Sequence, residues 1–297
     1  MTTGELTGKT VAVVGGDRRM IEIMRQARAA GATVKSYGGA PGADVAAGRA
    51  PSASLAEAVK GAHLIVGPIP GLAADDALYA PFAGDKLYLT AEVLGGARPG
   101  ALLLFGRASK GIMKNAEGKV RPIGFGDDDA LAILHAVPTA EGALKVAIEN
   151  TDTTILGLST LCIGMGRVGM SVAQIFKAVD ADVTLCARNP SQLARAWAMG
   201  LRTMHLSELR DRIGEFPLVV SSASAMVLTR EVLERAKPDA LIIDLCSPPG
   251  SVDFPAGEAL KRRVIWARGQ AGTAPVTSGY NEWQVIMRIV REESLPA

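Results

Sequence analysis

The sequence predicts an α/β protein of two domains, each a doubly wound parallel sheet, joined by an inter-domain helix and with a cleft between them. Three observations carry that prediction. Short apolar runs rich in β-branched residues alternate with helical periods along the chain, as in strands joined by crossover helices. Two of the runs break into glycines, at Gly15-Gly16 and from Gly164 to Gly169, the strand–turn–helix opening of Rossmann-like domains. The 297 residues, 48% of them hydrophobic, suffice to fill two cores.

The first domain is placed at 1–137. TVAVVG, Thr10 to Gly15, reads as its first strand. Met20, Ile21, Met24 and Ala27 give the next segment one apolar helical face, and it ends at Gly31. ATVKSY is the second strand. Ala40 to Pro51, rich in Gly, Ala and Pro, reads as loop. Ser54 to Lys60 is helical, His63 to Val66 a strand, Thr90 to Ala97 a helix and Ala101 to Phe105 a strand.

The inter-domain helix and linker take 138–157. Pro138 disfavours helix immediately before it, and Thr139 is suited to cap a helix starting there. Leu144, Ala147 and Ile148 mark one apolar face. The second domain, 158–279, opens with the strand TLCI (Thr160 to Ile163), the glycine loop and a helix from Val168 to Ala178. Strands come next at Ala181–Arg188, Thr203–Leu206, Leu218–Ser222, Ala240–Leu245 and Val264–Ala267. Helices are placed at Pro190–Met199, Ser207–Ile213 and Thr229–Lys237. Tyr280 to Arg291 is again periodic, through Trp283, Val285, Ile286, Ile289 and Val290. The segment 280–297 is expected to pack back on the first domain.

Composition narrows the function classes. With 32 basic and 30 acidic residues, the formal net charge is +2, too small to point to nucleic acid. Aromatics are 4%, too few for a base-stacking platform. The N-terminus MTTGELTGKT is polar and lacks a signal core, and no run reaches the ~18 uninterrupted apolar residues of a membrane span. Neither nucleic acid nor membrane is expected as a partner. Cys162, Cys186 and Cys246 lie in apolar runs, as reduced, buried thiols would. That usage fits a cytoplasmic protein.

The glycine loop carries the clearest chemistry. CIGMGRVG, Cys162 to Gly169, comes after an apolar strand, precedes a helix and has a second strand beyond that helix, the context a dinucleotide loop requires. Gly164 would permit the tight turn, Gly166 the close approach of a pyrophosphate, and Gly169 the packing of helix on strand. Met165, Arg167 and Val168 complete the loop, whose helix end offers N–H groups and a positive dipole to phosphates. A ribose-binding Asp or Glu is expected at the end of the second strand of an NAD site. Here Arg188 and Asn189 stand there instead, and no acid occurs between Val183 and Glu208. Arg188 can pair with a 2′-phosphate, so NADP is preferred over NAD.

Other candidates are less local. Gly15-Gly16-Asp17-Arg18-Arg19 lacks a third glycine and reads as a substrate loop in which Arg18 or Arg19 binds a carboxylate. The alternative, two solvated first-turn arginines, stays open. Ser222 and Ser224 would bond the nicotinamide ribose or substrate, or serve their turn. Asp244 ends a buried strand and needs a partner, in a cap or in the site. Glu141 is the leading proton-transfer group; a first-turn acid serving only the dipole is the alternative. His63, His135 and His205 have no metal spacing, and no metal is expected. No nucleophile elbow, Walker motif or zinc signature occurs.

Five stretches occur here in the order known from one family: VAVVGGDRR, VPTAEGALKVAIENTDTTI, IGMGRVGM, DLCSPPGSVDF and GTAPVTSGY. On them the chain resembles the dipicolinate synthase A-subunit family over nearly its whole length. SSASAM, Ser221 to Met226, departs from the Asn-Thr type of start expected after that strand. The resemblance implies NADP-linked oxidation of dihydrodipicolinate to dipicolinate during sporulation, in the mother-cell cytoplasm. As partner it implies the flavoprotein-like B-subunit of the synthase; as substrate, a small dicarboxylate. It assigns Gly164, Gly166 and Gly169 to the cofactor, and draws Thr139, Glu141, Ser247 and Gly250 to the cleft. Arg18, Arg19, Thr139 and Ser109 are then suited to bind carboxylates. An amino- or imino-acid dehydrogenase of the same build, homo-oligomerisation and a non-catalytic NADP-binding regulatory subunit remain open.

Overall fold

The structure, a computed structural model, describes residues 4–72 and 75–297. The first three residues of the polar N-terminal stretch lie outside them. The chain divides into two compact units, Met1–Ala132 with Pro275–Ala297, and Ile133–Ala274.

In the first unit β1 (Thr10–Val14), α1 (Arg19–Ala29), β2 (Thr33–Tyr37), α2 (Ala43–Ala47), α3 (Leu55–Val59), β3 (Leu64–Val66), α4 (Ala91–Gly95), β4 (Ala101–Phe105), α5 (Lys110–Ala116) and β5 (Val120–Gly124) succeed one another. The five strands form a parallel sheet ordered β2-β1-β3-β4-β5. β4 is buried along its whole length, as a central parallel strand covered on both faces must be. One face packs under α1, α2 and a later helix through Met20, Ile23, Met24 and Trp283. The other packs under α3, α4 and α5 through Val59, Leu94 and Ile112.

The boundary between the units falls inside α6 (Asp129–Glu149). The second unit continues with β6 (Ser159–Ile163), α7 (Arg167–Ala178), β7 (Asp182–Ala187), α8 (Pro190–Ala198), β8 (Arg202–His205), α9 (Leu209–Arg212), β9 (Leu218–Ser221), α10 (Arg230–Leu233), β10 (Leu241–Asp244), α11 (Phe254–Ala259) and β11 (Arg263–Trp266). Its sheet is ordered β11-β10-β9-β6-β7-β8 and all pairs are parallel. The order therefore reverses between β6 and β9, the switch point at which such sheets bind ligands. Phe176 of α7 and Ala140, Ala143 and Ala147 of α6 pack on one face; Phe216, Leu233 and Ile213 cover the other.

The last helix, α12 (Pro275–Glu293), belongs to the first unit. It crosses α1 at backbone contact: a Cβ on Gly279 would lie 2.5 Å from the Arg19 carbonyl oxygen.

Several elements depart from expectation. The predicted loop 40–51 contains α2, because Ala43, Ala46 and Ala47 bury an apolar face in the core beneath α1. α5, β5 and α11 fall where no element was expected. α6 runs through Pro138, which the sequence places at a helix start. Its true start is acidic: Asp128 Oδ1 accepts from Leu131 N–H at 2.9 Å. A mid-helix proline costs about 3 kcal/mol; the burial of Pro138, Ala136, Ala140, Ala143 and Ala147 offsets it. α6 also has the length and mean hydropathy, 1.4, of a membrane-crossing helix.

Candidate functional site

The β6–α7 turn is built around three glycines with different constraints. Gly164 sits at φ +99°, in the region that disfavours side chains; its N–H donates to the Cys186 carbonyl at 2.9 Å. Gly169 allows α7 to lie on the turn, since a Cβ there would come 2.1 Å from the Gly164 oxygen and 2.6 Å from Ser222 Oγ. Gly166 has ordinary backbone angles and open space around its missing Cβ. No side chain caps α7 at Gly166, which leaves the helix terminus open to an anion. Met165 is buried beneath the turn, Arg167 is exposed and Val168 is half-buried.

Arg188 comes directly after β7 and is exposed. His205 Nε2 lies 3.1 Å from its carbonyl oxygen, while its guanidinium meets no carboxylate among the described residues. Asn189 caps α8 through its Oδ1, which accepts from Ser191 N–H at 2.8 Å. The next acid after Arg188 along the chain, Glu208, is engaged elsewhere. It accepts from His205 N–H and pairs with Arg212, and those contacts hold its carboxyl below the usual range.

Across the switch point, Ser222 N–H and Oγ both donate to the Ile163 carbonyl, at 2.9 and 3.2 Å. Ser224 is exposed. Asp244 is fully buried and satisfied. It accepts from Cys246 N–H, Ser251 N–H and Ser251 Oγ at 3.0, 2.7 and 3.0 Å, and Ser251 Oγ lies 2.7 Å from Ser221 Oγ. Its role is to close the 245–251 turn. Gly250, at φ +90°, passes so near that a Cβ would lie 2.8 Å from Asp244 Oδ2. Ser247 is exposed at the tip, its carbonyl accepting from Gly250 N–H.

Sequence reasoning missed an aromatic stack beside this turn. Phe254 and Trp266 stack at 4.5 Å, Arg268 lies 4.4 Å over the Trp266 ring, and Trp266 Nε1 donates to the Cys246 carbonyl. These residues come from separate elements, and only the Trp and Arg at the end of β11 hinted at it. The cysteines are free; Cys162 and Cys186 are buried, and burial pushes both thiols up to about 12. Burial, reinforced by Asp244, does the same to Cys246.

In the first unit Arg18 is exposed at the start of α1, its guanidinium without a partner among the described residues. Arg19 corrects the expectation of a free carboxylate binder. It is buried, and its guanidinium bonds Asp17 and, at 2.8 Å, Glu282 of α12. Burial works against ionisation of Asp17, but Arg19 prevails and holds its carboxyl below the usual value. Glu282, buried more deeply and facing Asp17 as well as Arg19, is pushed up to about 7. Ser109 caps α5, its Oγ accepting from Ile112 N–H at 3.0 Å.

On α6 two expectations are corrected. Thr139 caps nothing; its hydroxyl donates to the His135 carbonyl at 2.7 Å, one turn back in a continuous helix. Glu141 is exposed in mid-helix rather than in the first turn, so the dipole does not explain it. Among the described residues no group of three or more His, Cys, Asp or Glu is placed to hold a metal ion.

Comparisons at 28–30% identity over nearly the whole chain point to one family. The family model for the N-terminal domain of the dipicolinate synthase A-subunit matches residues 10–123. The chain is 30% identical over 291 residues to the dipicolinate synthase A-subunit of Bacillus subtilis (strain 168), covering 97% of each chain. The crystal structure of the dipicolinate synthase A-subunit from Bacillus halodurans superposes with a TM-score of 0.85 at 28% identity, over 99% of this chain and 100% of that one. A transhydrogenase from Sinorhizobium meliloti shares the fold, with a TM-score of 0.67 at 15% identity over 91% of this chain and 89% of that one.

Proposed function

Since the chain belongs to the dipicolinate synthase A-subunit family, we propose that it oxidises dihydrodipicolinate to dipicolinate with NADP as hydride acceptor. The observation that carries this reading is the β6–α7 turn, with Gly164 left-handed, Gly169 against the strand and space at Gly166. The residues fit a dinucleotide. Gly164 to Gly169 would hold the pyrophosphate, Arg188 and the Asn189 amide the phosphorylated ribose, and Ser222 and Ser224 the nicotinamide side. Bound NADP supplies an oxidised nicotinamide ring that takes up a hydride.

The chain's own residues do the rest. Loss of one hydride and one proton from the dihydropyridine gives an aromatic ring, so the step needs placement more than strong acid–base chemistry. Within the first unit, the exposed Arg18 and the Ser109 hydroxyl are groups suited to a carboxylate; within the second, Ser247 is exposed at its turn. Arg19 and Asp17 hold the Arg18 turn instead of binding substrate. Glu141 is exposed and accepts the proton. Thr139, bonded back into its helix, has a structural part. The reading extends to a partner, the flavoprotein-like B-subunit, and to the cytoplasm of a sporulating mother cell.

The test is to supply dihydrodipicolinate and NADP, with and without the B-subunit, and follow NADPH and dipicolinate by ultraviolet absorbance. The two products should appear together and vanish in Gly166→Asp, whose side chain has room to fold but places a carboxylate where phosphates go. Turnover of amino acids alone would favour an amino-acid dehydrogenase. Tight NADP binding without turnover would favour a regulatory subunit.

A further inference from the structure

The first unit carries a cavity of its own at the C-terminal end of β2. Its volume is about 490 Å³, within the range of small-molecule sites. Ser36 lines it, is 1% exposed, and its Oγ has no hydrogen-bond partner among the described residues. A buried hydroxyl left unbonded is unfavourable, so this position favours a ligand that can bond it. Tyr37 and Phe82 offer aromatic surface, and Phe82 is 44% exposed. Gly38, at φ +68°, brings bare backbone to the wall; a Cβ there would lie 2.5 Å from Leu87 Cδ1. The charged lining residues are Asp44 and Asp85, with no lysine or arginine among them.

Each feature selects a ligand property. Aromatic walls suit a planar ring. A buried hydroxyl and two carboxylates suit sugar hydroxyls and amino groups. The acidic rim repels phosphate. The cavity lies beyond the carboxyl end of a strand, where doubly wound sheets bind ligands, and close to the first glycine turn: the Gly38 Cβ position is 3.8 Å from Gly15 Cα.

We propose that this cavity is a second binding site, for an unphosphorylated nucleoside. The ring takes the Tyr37 and Phe82 side, and the ribose hydroxyls take Ser36 and the aspartates. The site lies within the first unit and does not rest on the NADP reading.

Calorimetric titration of the full chain with adenosine and with AMP tests it. Adenosine should bind saturably, bind Gly166→Asp equally well, and bind more tightly than AMP. Phe82→Ala, at an exposed position, should weaken it roughly tenfold, as loss of a stacking partner does. Ser36→Ala should weaken adenosine without lowering the melting temperature, because it removes a hydroxyl that bonds nothing in the protein. The proposal is overturned if adenosine gives no saturable heat, if its binding disappears in Gly166→Asp, if Phe82→Ala leaves it unchanged, or if AMP binds as tightly.

Discussion

Two side chains set measurable properties one residue at a time. Arg188, at the end of β7 where an acid would select NAD, meets no carboxylate among the described residues. On the proposed reading, Arg188→Asp removes a charge-assisted contact of roughly 1.5–3 kcal/mol, so NADP affinity should fall at least tenfold while NAD affinity changes little. Parallel titrations with both coenzymes read this out, and equal affinities in the parent protein would refute the assignment. Glu282 is the second. Its folded-state pKa of about 7 lies above the ordinary glutamate value, chiefly through burial. Its contribution to stability is therefore full below that ordinary value and is lost as pH rises towards and through 7. Asp17 runs the other way: its lowered pKa gives stability that is present above the ordinary aspartate value and lost only in more acid solution. From the ordinary glutamate value of 4.5 up to 7 Glu282 contributes a fall in stability with pH, opposed near the ordinary histidine value by His63, which burial and then Arg98 and Lys9 hold below it; denaturation midpoints for Glu282→Gln should therefore lose less with rising pH than those of the parent.

Among the elements, the β6–α7 turn separates glycines needed by the fold from one the fold leaves free. Gly169→Ala puts a methyl against backbone, and overpacking of that kind costs about 1–3 kcal/mol. Gly166→Ala meets nothing and should leave stability nearly unchanged. Thermal denaturation of the pair should reproduce that order. α6 offers a parallel test: Asp128→Ala removes both its capping oxygen and the partner of Arg288 and should cost at least about 1 kcal/mol, whereas Thr139→Ala, in mid-helix, should cost less. A larger loss from Thr139→Ala would restore the start expected after Pro138.

For the molecule as a whole, each unit carries its own parallel sheet and paired cores. A ligand of the second unit adds its binding energy to that unit's stability. On the proposed reading, NADP at 100 times its dissociation constant should contribute about 2.7 kcal/mol, read as a rise in melting temperature that Gly166→Asp abolishes.

Much of this organisation was legible beforehand. TVAVV, ALLLF and STLCI announce buried parallel strands by uninterrupted β-branched and aliphatic runs. The spacing of Gly164, Gly166 and Gly169 is itself a local backbone requirement. The features that escaped sequence reading depend on partners distant in the chain. Pro138 argues for a helix start by local propensity, and only the burial of Ala136, Ala140, Ala143 and Ala147 overrides it. Arg19 looks like a free cation until Glu282, 263 residues away, is brought against it. For Asp244 the sequence leaves a cap and a site role both open, and only the approach of Ser251 shows that it closes a turn. Periodicity and glycine spacing act within a turn or two of chain, so the sequence alone determined every strand but β5, the coenzyme-type loop and the α/β class. The tertiary structure decided which polar side chains remain free, because that depends on which distant groups share their desolvated surroundings.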